Sequence, residues 1–270
     1  MREVFRKHQK GLLMAIAMLI LAFSSIALAD TQVDMGTLQN GKAVEKIGLM
    51  DNQGYIWFKF NAPSDGFLEV SGFELSLSTK NTFNIIFSLY DAGKKRIDAY
   101  AYEHSVSSEN KKAVHYGVGK GVHYIRMKAT DSSNYGYYIY AYFEGKKSTG
   151  GPSKGKALKM KKGKVYNVVI PAGKKKTVWF KFTTNGKKKP KFIAYTRGQG
   201  QIKFMVKGNG LKKSIGYLNT QNEKDGFKIS TEVRRNGLLV KQVAPKKGTY
   251  LVKLTTYNSS NGWMKVKWKY

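Results

Sequence analysis

Along much of the chain, apolar and polar side chains alternate with a period of two. Ile202, Phe204 and Val206 alternate with Lys203, Met205 and Lys207, and Met264, Val266 and Trp268 with Lys265, Lys267 and Lys269. Ile85, Phe87 and Leu89 stand in the same way against Ile86, Ser88 and Tyr90. Successive side chains of a strand point to opposite faces, so these runs predict strands with one buried face. No helical stripe of useful length follows residue 30, and Gly, Asn and Ser break the runs where turns are needed. The pattern predicts an all-β protein.

The pattern also occurs twice. Trp57-Phe58-Lys59-Phe60 recurs as Trp179-Phe180-Lys181-Phe182, and Gly41-Lys42 as Gly163-Lys164, both at an offset of 122. Lys120-Gly121 through Phe143 aligns without a gap on Lys247-Gly248 through Tyr270, at an offset of 127. That alignment matches Ser132-Ser133-Asn134 to Ser259-Ser260-Asn261. It also matches Ile125, Met127, Ile139 and Ala141 to Val252, Leu254, Val266 and Trp268. Anchors at both ends of a unit, in order, mark a duplication. Units near this length, built of strands and turns, predict two tandem β-sandwich (jelly-roll-like) domains, at residues 30–144 and 163–270. The Gly, Ser and Lys-rich stretch 145–162 reads as a linker between them.

Residues 1–29 read as a signal peptide. A basic stretch (Arg2, Arg6, Lys7, Lys10) precedes an apolar run from Leu12 to Phe23 and the small-residue exit Ala27-Leu28-Ala29. A membrane-anchoring helix is the competing reading, but the run is short for a span. Export predicts a secreted or cell-surface, wall-associated protein of a bacterial type. The chain has no cysteine, so its mature part must stand on hydrophobic cores without disulfides.

Three segments of each unit resemble a known family. They are Trp57-Phe58-Lys59-Phe60, Ile85-Ile86-Phe87-Ser88-Leu89-Tyr90-Asp91 and Gly121-Val122-His123-Tyr124-Ile125-Arg126; the last corresponds in the second unit to Gly248-Thr249-Tyr250-Leu251-Val252-Lys253. These segments resemble the bacterial pre-peptidase C-terminal type of β-sandwich, a secreted module that often accompanies hydrolases. The resemblance implies a jelly-roll-like sandwich with a non-catalytic binding or accessory role. Some members of that family hold calcium through acidic residues. Here Asn84 stands where the family often has Asp, and Gln201 occupies the comparable place in the second unit, so no metal or other cofactor is assigned.

Charge divides the two units. The full chain carries +31, but residues 30–145 hold 12 Lys/Arg against 13 Asp/Glu, whereas residues 146–270 hold 32 Lys/Arg against Glu223, Asp225 and Glu232. Solubility alone needs far less charge, and self-repulsion at this density opposes folding. The imbalance therefore points to an anionic partner. Only Arg197, Arg234 and Arg235 of those 32 are arginine. Lysine is a hydrated point charge rather than a planar fork, which implies diffuse attraction to a repeating anion. The candidate binding residues are the loop clusters Lys174, Lys175, Lys176 and Lys187, Lys188, Lys189, with Lys212-Lys213 and Lys246-Lys247 beside them. The strand face Lys265, Lys267, Lys269 completes the set, with Lys203 and Lys207 expected to extend it. Outside a bacterium the available partners are wall polymers, anionic head groups, acidic glycans and shed nucleic acid. Nucleic acid ranks lower because no nucleic-acid fold signature accompanies the lysines.

In the ungapped alignment Tyr138, Tyr140 and Tyr142 take the places of Lys265, Lys267 and Lys269. Exposed, such a ladder would serve a glycan or a protein partner; covered, it would stabilise the sheet. Catalytic signatures do not stand out. His104, His115 and His123 lack metal-ligand spacing, and there is no nucleophile elbow, zincin helix or phosphate loop. Glu69, Glu74 and Asp91 are the acids that an unrecognised hydrolase would have to use. The sequence thus predicts a non-catalytic, polyanion-binding protein, with an accessory glycan- or protein-binding module as the alternative.

Overall fold

A computed structural model describes residues 32–49, 54–75, 83–98, 102–106, 113–129, 136–208, 211–219, 225–228, 231–235 and 238–270. The signal peptide expected at residues 1–29 lies outside them. The chain is all-β. The first unit comprises β1 (Gln32–Thr37), β2 (Lys42–Leu49), β3 (Tyr55–Ala62), β4 (Gly66–Leu75), β5 (Phe83–Tyr90), β6 (Tyr102–Val106), β7 (Val114–Val118), β8 (Gly121–Ala129) and β9 (Gly136–Gly145). These form a five-stranded sheet, β1-β3-β8-β5-β6, and a four-stranded sheet, β2-β9-β4-β7.

The second unit comprises β10 (Leu158–Lys159), β11 (Tyr166–Ile170), β12 (Thr177–Thr184), β13 (Lys191–Gln199), β14 (Gln201–Gly208), β15 (Leu211–Asn219) and β16 (Asp225–Lys228). It continues through β17 (Thr231–Arg235), β18 (Leu238–Val243), β19 (Gly248–Thr256) and β20 (Asn261–Lys269). Its sheets run β10-β12-β19-β14-β15 and β11-β20-β13-β16, which repeats the first unit strand for strand. Both units even share a parallel first pair, β1 with β3 and β10 with β12, in otherwise antiparallel sheets. The β17–β18 hairpin is the insertion that breaks the symmetry. It lies between β16 and β19, where the first unit needs only the two residues between β7 and β8.

Alternation decides what each strand buries. In β3 and β12, Phe58, Phe60, Phe180 and Phe182 point inward and are fully buried, while Trp57, Lys59, Trp179 and Lys181 point outward. The first core adds Ile85, Phe87, Leu89, Ile125, Met127, Ile139 and Ala141. Ile202, Phe204, Val206, Val252, Leu254, Met264, Val266 and Trp268 fill the second. Each fully buried side chain of this kind contributes roughly 1.5–3 kcal/mol, so two such cores can stand without disulfides.

The stretch 145–162, expected as a linker, belongs largely to the second sandwich. Gly151 and Trp179 exchange two backbone hydrogen bonds of 2.8 Å. Leu158 and Lys159 add the edge strand β10, and Met160 enters the core while its carbonyl accepts the Trp268 indole N–H at 3.2 Å. Gly, Ser and Lys content signals flexibility, but the open edge of β12 supplies partners that fix this chain.

The two sandwiches meet along β7, which lies on β20, β13 and β11. A Cβ on Gly117 would fall 2.3 Å from the Ile170 carbonyl oxygen and 2.6 Å from the Gly262 nitrogen, so glycine is what allows this approach. The Gly117 amide donates to Asn261 Oδ1 at 2.9 Å, and its carbonyl accepts from Ala172 at 2.8 Å. Asn261 closes the repeated Ser-Ser-Asn motif; its counterpart, Asn134, lies outside the described residues. Phe67 from the first unit packs with Val169 and Trp263 from the second. Ion pairs join Lys176 to Asp65 at 3.5 Å and Arg197 to Glu69 at 3.8 Å. The Glu69 carboxyl is held below its ordinary value of 4.5 chiefly by its hydrogen bond with His115, with the charges of His115 and Arg197 adding to the effect against partial burial.

Two outcomes test this seam. Gly117→Ala should destabilise the protein by about 1–3 kcal/mol in urea unfolding, because the methyl meets backbone on the opposite unit. Gly119→Ala, where the new Cβ meets the flexible end of Lys174 and, at an ordinary 3.6 Å, Pro171 Cβ, should leave stability nearly unchanged. Glu69 favours its ionised form when folded, so its contribution is present above 4.5 and is lost as pH falls below that value. Glu69→Gln should therefore flatten the acid side of the melting-temperature profile below about pH 4.5. A variant profile parallel to the parent would refute the assignment.

Candidate functional site: a lysine pole on the second sandwich

Several connections converge at the end of the second sandwich farthest from the seam. Thr184 at the end of β12 pairs with Gly248 at the start of β19, and Gly186 stands against the backbone of Lys246 and Lys247. Tyr270 follows β20 at the same end. Its hydroxyl lies 3.3 Å from Thr184 Oγ1 and accepts from the Asn185 amide at 3.4 Å. The segment before β11 folds over it. Gly163 N–H donates to the Trp268 carbonyl at 2.8 Å, and Lys162 Nζ sits 4.7 Å from the Tyr270 ring centroid.

Every one of these turns carries lysine: Lys161, Lys162 and Lys164; Lys187, Lys188 and Lys189; Lys246 and Lys247. The strand ends add more. Lys191 pairs with Lys269 on one side and with Lys228 on the other. Like charges placed directly across a sheet oppose its formation. Two lysine charges about 7 Å apart repel by about 0.6 kcal/mol even at the dielectric constant of water. Among the described residues, Lys161, Lys162, Lys187, Lys188, Lys189 and Lys269 form no ion pair. The two ion pairs of the second unit just described, from Lys176 and Arg197, are both at the seam and both end on acids of the first unit. An anion arriving at the far pole would replace repulsion with attraction over many contacts at once.

The lysines singled out from sequence divide among three places. Lys187, Lys188 and Lys189 belong to the pole, and Lys265, Lys267 and Lys269 lead toward it along the outer face of the four-stranded sheet. There Lys265 and Lys267 are set over aromatic neighbours, Trp263 at 4.8 Å and Tyr195 at 5.3 Å. Lys203 and Lys207 do not extend this ladder. They point outward from β14, in the other sheet of the sandwich, because Phe204 and Val206 between them face the same core as Val266 and Trp268. Lys174, Lys175 and Lys176 lie at the opposite end of β12, about 25 Å away for a strand of that length, and Lys176 is engaged with Asp65. Lys212 and Lys213 lie on β15, whose side chains there are outside the described residues. Sequence reasoning missed Lys161, Lys162 and Lys164 as members of the site. They sat in or beside the presumed linker, and the only signal for them was that the repeat begins near Gly163.

The tyrosine ladder is largely covered. Tyr138, Tyr140 and Tyr142 point to the outer face of β9, between β2 and β4. Tyr138 is buried, and Tyr140 and Tyr142 are half-buried. Burial, followed by the charge of Glu45 and a hydrogen bond to it, holds the Tyr138 phenol well above its ordinary value, so it stays protonated. Glu45 and Glu69 lie opposite Tyr140 and Tyr142 by register, which makes this face acidic. The acids weighed for catalysis are occupied elsewhere: Glu69 by His115 and Arg197, and Asp91 by the amides of Gly93 and Lys95. The side chain of Glu74 is outside the described residues. His123 is bonded to the Gly119 carbonyl at 2.8 Å and kept neutral mainly by burial. Among the described residues, no group of three metal-ligating side chains converges.

No family model and no curated protein sequence matches this chain. Several solved structures resemble it at low similarity. Tripeptidyl peptidase 2 has a TM-score of 0.32 and 11% identity over 86% of this chain, which spans about a quarter (24%) of that protein's length. The CUB1-EGF-CUB2 domains of rat MASP-1 have a TM-score of 0.27 and 7% identity, covering 88% of this chain and 100% of that one. The CBM22-1-CBM22-2 tandem domain of Paenibacillus barcinonensis Xyn10C has a TM-score of 0.24 and 11% identity, covering 76% and 79% of the two chains.

Proposed function

We propose that this chain is a secreted, non-catalytic binding protein whose second sandwich attaches to polyanions outside the cell. The observation that carries the reading is the crowding of lysines at the far pole of a unit with three acidic residues in 125 positions. Lysine with very little arginine selects charge density over stereochemistry, so the favoured partner is a repeating anion, a wall polymer or an acidic glycan. Nucleic acid shares the charge and ranks behind them. The first sandwich, near neutral and fixed through the seam, is then carried at a set distance from the surface to which the pole binds.

The test is retention of the full chain on immobilised poly(glycerol phosphate) and on an immobilised polyuronate as salt rises. Release should be steep, since each lysine contact displaces condensed counterions. Lys187→Gln/Lys188→Gln/Lys189→Gln should weaken binding and lower the slope of log K against log salt by about 2–3. Lys174→Gln/Lys175→Gln, at the seam end, should change it by less. Retention indifferent to salt, or equal loss from the two variants, would sink the proposal.

A further inference from the structure

The outer face of the first unit's five-stranded sheet carries a feature that polyanion attachment does not use. Trp57 on β3 is ringed by three tyrosines set nearly edge-on to it. Tyr90 lies at 4.7 Å between centroids, Tyr124 at 6.2 Å and Tyr55 at 6.5 Å. Two cations lie against these rings. Lys94 Nζ is 5.0 Å from the Trp57 centroid and 5.2 Å from that of Tyr124. The Arg126 guanidinium is 5.3 Å from Tyr90, 5.7 Å from Trp57 and 5.9 Å from Tyr55.

Neither cation has a carboxylate partner among the described residues. The described acids nearby are engaged: Asp91 accepts from Gly93 N–H at 3.0 Å and Lys95 N–H at 2.9 Å, Asp98 pairs with Arg96, and Asp34 pairs with Lys59. Arg126 Nε is buried without a hydrogen-bond partner, which leaves the terminal nitrogens of the fork to do the bonding. Lys94 sits in a left-handed backbone conformation (φ 57°), and its amide donates to the Asp91 carbonyl at 3.0 Å. A lysine held at that φ carries local strain, which the Asp91 turn sustains.

The second unit shows what the fold itself requires here. By strand register, Trp179 and Lys253 take the places of Trp57 and Arg126, with Nζ 5.5 Å from the ring. The tyrosines are not kept: Thr177, Lys207 and Leu251 stand where Tyr55, Tyr90 and Tyr124 stand. A tryptophan under a cation is common to both units, whereas the three tyrosines are particular to the first.

We propose that this face is a binding site for an acidic sugar residue, a uronate or a sulfated sugar. Its apolar ring face would lie on Trp57 with Tyr124 standing as a wall beside it, and its anionic group would take the charges of Lys94 and Arg126, which have no carboxylate partner among the described residues. Ring contact supplies selectivity for a saccharide, and two cations discriminate against neutral ones because such a ligand would leave them unanswered. The site stands apart from the lysine pole, on the other sandwich.

The experiment titrates the full chain with a uronate oligosaccharide, a sulfated one and a neutral one of equal length, followed by tryptophan fluorescence. It is run in about 0.5 M salt, where diffuse attraction to the pole is screened. Either or both acidic ligands should bind, and which one does identifies the acidic group. Tyr124→Leu and Tyr55→Thr reproduce residues that the second unit already uses at these positions, and Lys94→Gln alters an exposed turn, so all three should fold. Tyr124→Leu and Lys94→Gln should each weaken binding by about fivefold or more at unchanged melting temperature. The Lys187/188/189 triple variant should bind as the parent does, which separates this site from the pole. Equal binding of the neutral oligosaccharide, no binding of either acidic one, or unchanged affinity in Tyr124→Leu and Lys94→Gln would overturn the proposal.

Discussion

The contact of β7 with β20 and β13 places everything else on this molecule's surface. It is a backbone-to-backbone approach: Gly117 meets Gly262 and the Ile170 carbonyl with no room for a methyl, and Asn261 reaches across to satisfy the amide that the approach would otherwise strand. A buried amide without a partner costs roughly 1–3 kcal/mol, so this side chain and the glycine beside it act together. Around them Phe67, Val169 and Trp263 exclude water. The two sandwiches are therefore joined by a packed seam rather than by a tether.

The seam also sorts the charge. Asp65 and Glu69 of the near-neutral unit answer Lys176 and Arg197, so the basic unit is relieved of repulsion at the end that touches its twin. At the far end, seven or more residues of strand away, each of the three turns carries two or more lysines. Salt bridges between exposed groups contribute little singly. Many lysines sharing one pole form a field that a repeating anion can meet at several points, and screening weakens it in a measurable way.

Apart from the β17–β18 insertion, the plainest divergence of the duplicated scaffold is on its outward faces. Both units keep Phe-x-Phe inward on the third strand of their fold and tryptophan outward, with a cation above the indole. Around that shared pair one unit carries tyrosines and the other carries lysines along its strands. Outward positions of a sheet are free to change in this way because the core on the opposite face sets the register.

The all-β class, the doubling and the inward or outward direction of most strand residues were legible in the sequence, since a period of two is a local property of the chain. Ile202, Phe204 and Val206 on one face and Lys203 and Lys207 on the other were set apart by alternation alone. The split of charge between units was equally plain. What the sequence left open was which strands are neighbours. Lys203 and Lys267 alternate identically along their own strands, yet hydrogen bonding puts them in different sheets with a core between them. Met160 and the lysines near it looked like linker because composition carries no information about an open sheet edge waiting at β12. Tyr55, Trp57, Tyr90, Tyr124 and Arg126 are scattered over seventy residues and become one surface only when β3, β5 and β8 lie side by side. Local periodicity fixes the face of a residue, but pairing across long stretches of chain decides its company.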